Sequence, residues 1–344
     1  MRRRGRRRSG RTSRPVTVDP EPSGIVTLLS DFGLEDPYVG VVKGVILGIN
    51  PAARLVDLTH AIPPQDVRRA ALALEGAYRS FPPGTVHLAV VDPGVGTARR
   101  PLLVRAGGHH FVGPDNGLLG FLFDLPGTAA VAPTASRYHG PAVSRTFHAR
   151  DVFAPVAAHC SRGVPLARFG PRVVDPARLP WPRARREGRR VRGEVLLADR
   201  FGNLLTNVGK ADLPGPDARW LVEIGGTRIA GLAGTYADVG IGSIGAVIDS
   251  SGRLEVFVRE GSARERLGIG PGAPVSLWAG TRSASSGSRR PSSPSPSRRS
   301  SSPRRSPSTR SPSTPRPSHF RPSPTGRPSS PPPSPSSGTP RGSP

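Results

Sequence analysis

The sequence predicts an α/β domain with a largely parallel sheet, followed by a smaller β-barrel domain. Three observations carry that expectation. Apolar runs alternate between strand-like and helix-like periods from residue 25 to residue 91. The pattern then breaks into Pro, Arg and Gly over Pro180–Arg192. Beyond it lie short β-rich runs parted by glycine, the spacing of a small barrel or sandwich.

Each element has a local reason. Ile25–Leu29 is a short apolar run that stops at Ser30-Asp31-Phe32-Gly33. Asp36 and Pro37 supply an N-cap and first-turn pair for a helix holding Val41, Val42, Val45 and Ile46. Leu55–Leu58 reads as the next strand, and Gln65–Tyr78 as a helix behind Pro63-Pro64. Thr85–Val91 reads as a buried strand running into Asp92-Pro93-Gly94. This β-α-β-α-β order implies parallel pairing under a cover of helices. In the second domain Gly193–Ala198, Trp220–Ile224, Ala246–Ile248, Leu254–Val258 and Val275–Trp278 read as strands, with Asp249–Arg253 a hairpin turn. The expected boundaries are 24–180 for the α/β domain, 181–192 for a linker and 193–280 for the barrel.

Charge says more about the ends than about the fold. The chain has 344 residues with 49 basic and 24 acidic side chains, a formal net charge of +25. Residues 1–14 carry 8 Arg and residues 281–344 carry 12, with no acid in either, which leaves 29 basic against 24 acidic between them. The folded part is therefore near neutral. Residues 281–344 hold 17 Pro and 23 Ser, and only Ala284 and Phe320 are apolar. Ordering such a segment costs about 1 kcal/mol per residue in backbone entropy, far beyond what two apolar side chains return. Disorder is expected over 1–23 and 281–344. Arg without interleaved aromatics supports only weak, sequence-blind, salt-sensitive nucleic-acid contact by these tails.

Several classes fall away. No run of about 18 apolar residues predicts a membrane span. The basic start is followed by Pro, Asp and Glu, which is not a secretory signal. Cys160 is the only cysteine, so an internal disulfide and a thiolate zinc cluster are excluded, and a cytoplasmic location is expected.

Acidic residues stand where apolar strands stop: Asp31, Asp92, and Asp115 after His110–Val112. Ligands of parallel α/β sheets bind beyond the carboxyl ends of strands, so three such ends suggest one shared cleft. Asp beside Gly or Pro also makes turns, and each one alone keeps that second reading. In Asp92-Pro-Gly-Val-Gly-Thr-Ala-Arg99, two glycines admit close backbone approach and an arginine returns toward the carboxylate. No Gly-Lys-Ser/Thr follows, so this is not a phosphate-binding P-loop. His148, in Phe147-His148-Ala149-Arg150-Asp151, precedes a helical run, where a lone His is more often a cap or a satisfied core group than a functional one. Asn203 and Asn207 read as turn formers or ligand contacts. His109 and His110 point to opposite strand faces and make a poor metal pair.

Taken in order, five strings resemble one family. Leu29-Ser30-Asp31-Phe32-Gly33, Val91-Asp92-Pro93-Gly94-Val95-Gly96-Thr97, Gly113-Pro114-Asp115-Asn116-Gly117, Phe147-His148-Ala149-Arg150-Asp151 and Asp199-Arg200-Phe201-Gly202-Asn203-Leu204 are similar to those of the S-adenosyl-L-methionine (SAM) hydroxide adenosyltransferases. These are water-using relatives of the bacterial SAM-dependent fluorinase and chlorinase. The resemblance spans about residues 24–280. It implies an α/β domain, a β-barrel domain, and a homotrimer binding SAM where neighbouring subunits meet. The implied reaction is hydrolysis of SAM to adenosine and L-methionine, with SAM as substrate and no further cofactor or metal. The implied catalytic residues are Asp92, Arg99 and His148. The implied ribose ligand is Asp31, and Asp199 and Asn203 take the methionine end with Phe201 between them. The backbone near Ser262-Ala263 would read adenine, and Ser250 the methionine carboxylate; Ser251 stands where the fluorinase pattern has Arg.

The chemistry follows from the substrate. A sulfonium leaves ribose C5′ as a neutral thioether and needs no acid, so the site must supply a dry, in-line oxygen nucleophile, worth about 7–11 kcal/mol in positioning. Attacking water loses a proton, which a carboxylate held by a guanidinium, with an imidazole nearby, is suited to manage. A halide has no proton to lose, and a negative base would repel it. Asp92 with His148 therefore favours water over the chlorinase-type alternative. A second alternative is metal-dependent hydrolysis using Asp31, Asp92, His148 and Asp151.

Overall fold

The computed structural model describes residues 20–213 and 220–279. The expected tails fall outside the described residues except for 20–23, of which Ser23 is tied to the sheet. Ser23 donates its N–H to the Gly84 carbonyl at 3.2 Å and shares a hydrogen bond with the Thr85 hydroxyl at 3.1 Å.

The first sheet is built from β1 (Ile25–Ser30), β2 (Arg54–Thr59), β3 (Val86–Val90), β4 (Pro101–Ala106), β5 (His109–Pro114) and β6 (Ala129–Val131), in the order β2-β1-β3-β5-β4-β6. Three pairings, β1–β2, β1–β3 and β3–β5, are parallel, whereas β5–β4 and β4–β6 are antiparallel. The sheet is thus mixed where a largely parallel one was expected. The cause is the connection after β3: the chain passes over the end of β5, and β4 starts there, Pro101 opposite Pro114. Parallel crossover needs a dozen or more residues, usually a helix; a hairpin between β4 and β5 needs two.

Period-two alternation divides the core. Val86, Leu88 and Val90 of β3 face one side, with Val26 and Leu28 of β1. There they meet α1 (Tyr38–Ile49), which buries Val39, Val42 and Ile46, and α3 (Ala154–Ser161). Ala89, Val91, Leu102, Val104 and Phe111 face the other side, against α2 (Val67–Ala77) through Ala70 and Leu74. The helix starts differ from expectation by a residue or two. Pro37 sits at the N-cap of α1 and Asp36 makes no cap, whereas Asp66 caps α2 by accepting from the Arg69 N–H at 2.9 Å.

The second sheet contains β7 (Arg185–Glu187), β8 (Arg190–Ala198), β9 (Leu204–Gly209), β10 (Trp220–Ile224), β11 (Thr227–Ala230), β12 (Ile244–Ile248), β13 (Arg253–Val258) and β14 (Pro274–Ala279). Its order, β11-β10-β14-β8-β9-β13-β12 with β7 on β8, is antiparallel throughout, and a bridge between Ala233 and Val247 nearly closes it into a barrel. β8 serves three neighbours. It pairs β7 through Arg190–Arg192, β14 through Arg190–Glu194, and β9 through Val195–Ala198 across a bulge between Val195 and Leu197, the bend that turns a barrel corner. The expected linker is therefore partly structured: β7 and the start of β8 form a hairpin within it. A short α4 (Ala263–Leu267) follows β13. Two inter-domain bonds hold barrel to α/β layer, Arg253 to Glu75 at 2.9 Å and Arg69 to the Ala198 carbonyl at 3.0 Å.

A buried polar group lies in the α/β core. His87 and Thr27 are fully buried, Thr27 bonds the His87 Nδ1 at 2.8 Å, and His109 lies 3.3 Å from the His87 Nε2. Burial, assisted by His109, pushes His87 down to about 3 from 6.5. The folded state thus keeps His87 neutral while the unfolded chain takes up a proton below about pH 6.5. The stability this contributes is full above 6.5 and is lost as pH falls toward 3. Urea unfolding is expected to give a free energy that declines steadily from pH 6.5 to pH 5, by up to about 1.4 kcal/mol per pH unit from this group. A flat profile over that range contradicts it.

Candidate active site

The cleft of interest lies at the carboxyl ends of β1 and β3. It has a volume of about 250 Å³ and is lined by Asp31, Phe32, Gln65, Asp92, Val95, Phe147 and His148, among others. Asp31 follows β1 directly. Its Oδ2 accepts the backbone N–H of Gln65 at 2.8 Å. Gln65 adopts a left-handed φ of 67°, an uncommon conformation for a residue with a Cβ, and this turns its N–H toward Asp31. Sequence reasoning missed this contact, because nothing in Gln marks a left-handed position as Gly or Asn would.

Asp92 follows β3. The loop from Asp92 to Arg100 returns to the same sheet end because β4 begins beside the end of β5, and so it brings Arg99 back onto Asp92. Arg99 Nε donates to Asp92 Oδ1 at 2.8 Å and Nη2 donates to Oδ2, a bidentate pair. Both side chains are nearly buried, 9% and 7% exposed, and the guanidinium lies over the Phe153 ring. Arg99 Nη2 also lies 2.9 Å from His148 Nδ1. A guanidinium only donates, so Nδ1 must accept and the ring proton sits on Nε2. Burial first, and then the Arg99 charge, lower the His148 pKa below 6.5 against the opposing pull of Asp92 and Asp151. Arg99 Nη1 is buried and meets no acceptor among the described residues.

His148 owes its place to a proline. A widened, π-type turn over Ala149–Phe153 precedes α3, whose second residue is Pro155. Pro155 has no N–H to give the Asp151 carbonyl, which instead accepts from Gly140 N–H at 2.7 Å. The Asp151 carboxylate is occupied by Arg150 and by the Ser144 N–H, and these hold it at about 2 against the opposing effect of burial. Asp151 is therefore structural, and among the described residues no three His, Cys, Asp or Glu side chains group to hold a metal ion. Asp115 is likewise not part of the cleft. Its carboxylate takes Arg100 and the Ala177 N–H, while Asn116 bonds the Val91 carbonyl. Two of the three strand-end acids share a cleft; the third anchors a loop.

The remaining predicted residues gather on the barrel. Asp199 accepts the N–H groups of Phe201 and Asn203, at 2.9 and 2.8 Å, and thereby shapes the turn. Phe201 is 74% exposed and Asn203 is buried. Ser262 caps α4 by accepting the Glu265 N–H at 3.1 Å, Ala263 is buried behind it, and the Arg264 N–H reaches the Gly202 carbonyl at 2.9 Å. Asp199 and Ser250 line a different cleft, of about 740 Å³, between α2 and the barrel. Of the predicted residues, Asp31, Asp92 and His148 thus line one cleft, and Asp199 and Ser250 line another.

A mixed sheet joined to a small barrel, with a carboxylate, guanidinium and imidazole locked together at the strand ends, defines a class of two-domain enzyme. The chain belongs to the SAM hydroxide adenosyltransferase family: the model of that family's N-terminal domain matches residues 26–170 and that of its C-terminal domain residues 193–276. An (R)-S-adenosyl-L-methionine hydrolase of Thermus thermophilus is 47% identical over 73% of this chain and 98% of its own. A fluorinase of Nocardia brasiliensis is 27% identical over 74% of this chain and 97% of its own. The crystal structure of an uncharacterized conserved protein from Thermotoga maritima superposes with a TM-score of 0.70, at 36% identity, over 74% of this chain and 99% of that one.

Gly202 ties the two halves of the barrel set. Its φ is 80°, and a Cβ there would stand 2.1 Å from the Ser262 hydroxyl. Gly202→Ala is expected to lower stability by about 2 kcal/mol or more, read by urea unfolding, through strain and displacement of Ser262. A change under about 0.5 kcal/mol contradicts the packing described.

Proposed function

We propose that this protein hydrolyses S-adenosyl-L-methionine to adenosine and L-methionine by attack of water at ribose C5′. The observation that carries the reading is a nearly buried Arg99 bridging Asp92 and His148 at the edge of the cleft. An oxygen–C5′ bond forms as the C5′–sulfur bond breaks, the sulfur keeps the electron pair as a neutral thioether, and one water proton is released. Asp92 is the acceptor for that proton, since His148 Nδ1 is already committed to Arg99. His148 Nε2–H is a donor available to the nucleophilic oxygen, favouring its hydroxide character. Asp31, held by Gln65, accepts from the ribose diol. No metal or further cofactor enters this scheme.

Asp199, Asn203 and Ser250 bind the methionine end, Phe201 packs beside it, and the backbone at Ser262-Ala263 reads adenine. The homotrimer implied by the family would join the catalytic cleft of one subunit to this barrel set of the next; the separate clefts of the two sets support that arrangement. The higher identity of the (R)-SAM hydrolases, 47%, 42% and 41% for three of them, against 27% for a fluorinase, supports water over halide. No described helix is long and apolar enough to cross a membrane.

Turnover in ¹⁸O-water is expected to place the label in the adenosine 5′-hydroxyl; 5′-chloro- or 5′-fluoro-adenosine formed at comparable rate would overturn the choice of nucleophile. Asp92→Asn is expected to lower kcat by about 10²-fold or more while adenosine binding stays within about threefold. Loss of binding in parallel would assign Asp92 to substrate binding instead.

A further inference from the structure

One polar chain in the α/β domain is left unused by this scheme. Lys43 Nζ, on α1, donates to Asp57 Oδ2 at 2.7 Å, and His60 Nε2 lies 3.1 Å from Asp57 Oδ1. His60 Nδ1 is 2.7 Å from Ser30 Oγ, and Ser30 Oγ accepts the Phe32 N–H at 3.3 Å. The Gly33 N–H donates to the His60 backbone carbonyl at 2.9 Å. His60 therefore grips the chain on both sides of Asp31, by its ring at Ser30 and by its carbonyl at Gly33. Ser30 and His60 are 2% and 7% exposed.

The order Ser–His–Asp invites a nucleophilic reading, and the surroundings refuse it. The cavity beside Ser30 is walled by Leu28, Val39, Leu88 and Val90 and measures about 10 Å³, room for one water at most. No substrate reaches that hydroxyl. A carboxylate only accepts, so a neutral His60 ring with its proton on Nε2, toward Asp57, takes the Ser30 Oγ–H at Nδ1. The Asp57 contact is short but off line for a hydrogen bond, leaving His60 Nε2 without a well-aligned partner, and its force is mainly electrostatic. Burial opposes it, yet Lys43 and His60 hold Asp57 below the ordinary carboxylate range, so the charge that steadies His60 persists.

We infer that His60 and Ser30 are positioning residues, the inner end of a Lys43–Asp57–His60–Ser30 relay that fixes the turn presenting Asp31 to the ribose. This rests on the proposed role of Asp31. The Asp31 carboxylate is held on one side by Gln65, and its backbone on the other by this relay, so the diol meets an acceptor already in place. A contact made alike to bound substrate and transition state shows in KM rather than kcat.

The experiment measures adenosine Kd by calorimetry, with kcat and KM for SAM, for Ser30→Ala, Asp31→Asn and the double variant. Ser30→Ala is expected to raise Kd and KM about tenfold with kcat within about threefold. In the Asp31→Asn background the same change is expected to add less than about twofold, since it acts through Asp31. Equal losses in both backgrounds overturn the relay as a positioning device. An effect of Asp31→Asn with none from Ser30→Ala overturns the relay and leaves the ribose reading standing. No effect of Asp31→Asn on binding overturns both. Should Ser30→Ala fail to fold, Lys43→Met, at the partly exposed outer end, must show a KM rise of about threefold with the same non-additivity, or the inference falls.

Discussion

The site depends on one guanidinium doing two things at once. Arg99 closes a bidentate pair with Asp92 and gives a third bond to His148. Because an arginine never accepts a hydrogen bond, that single contact decides the imidazole's tautomer. The division of labour proposed above, with the carboxylate taking the proton and the imidazole donating, follows from that tautomer. Stacking on Phe153 keeps water from competing for the guanidinium face.

Arg99 reaches Asp92 only because the sheet is mixed. Had β4 run parallel to β3, its start would lie at the opposite edge, a strand's length from Asp92. The antiparallel return puts the end of β3 and the start of β4 at one rim, with the glycine-bearing loop between them. The departure from the expected parallel sheet is thus the arrangement that assembles the trio.

Much of this was legible in the residues. β1, β3, β10 and β13 fall within a residue of their apolar runs, since burial on two sheet faces or steady alternation leaves a plain signal. The trio, Asp31 and the Asp199–Asn203 turn stand in short strings whose residue types suit their chemistry. What was hidden is instructive. β9 places a polar residue, Thr206, at a buried position, β11 spans four residues with Arg228 exposed, and neither leaves a readable apolar alternation. Asp115 looked like a cleft residue until Arg100 and the Ala177 N–H were seen to consume it. Gln65 contributes only its backbone, and His60 acts from thirty residues away; neither leaves a trace in composition or spacing.

Pro155 deserves a last thought as a source of rigidity. Its ring removes one hydrogen from the backbone, so the preceding turn stays wide and the Asp151 carbonyl belongs to Gly140. The imidazole's station is therefore set by main-chain connectivity rather than by anything a departing product takes along.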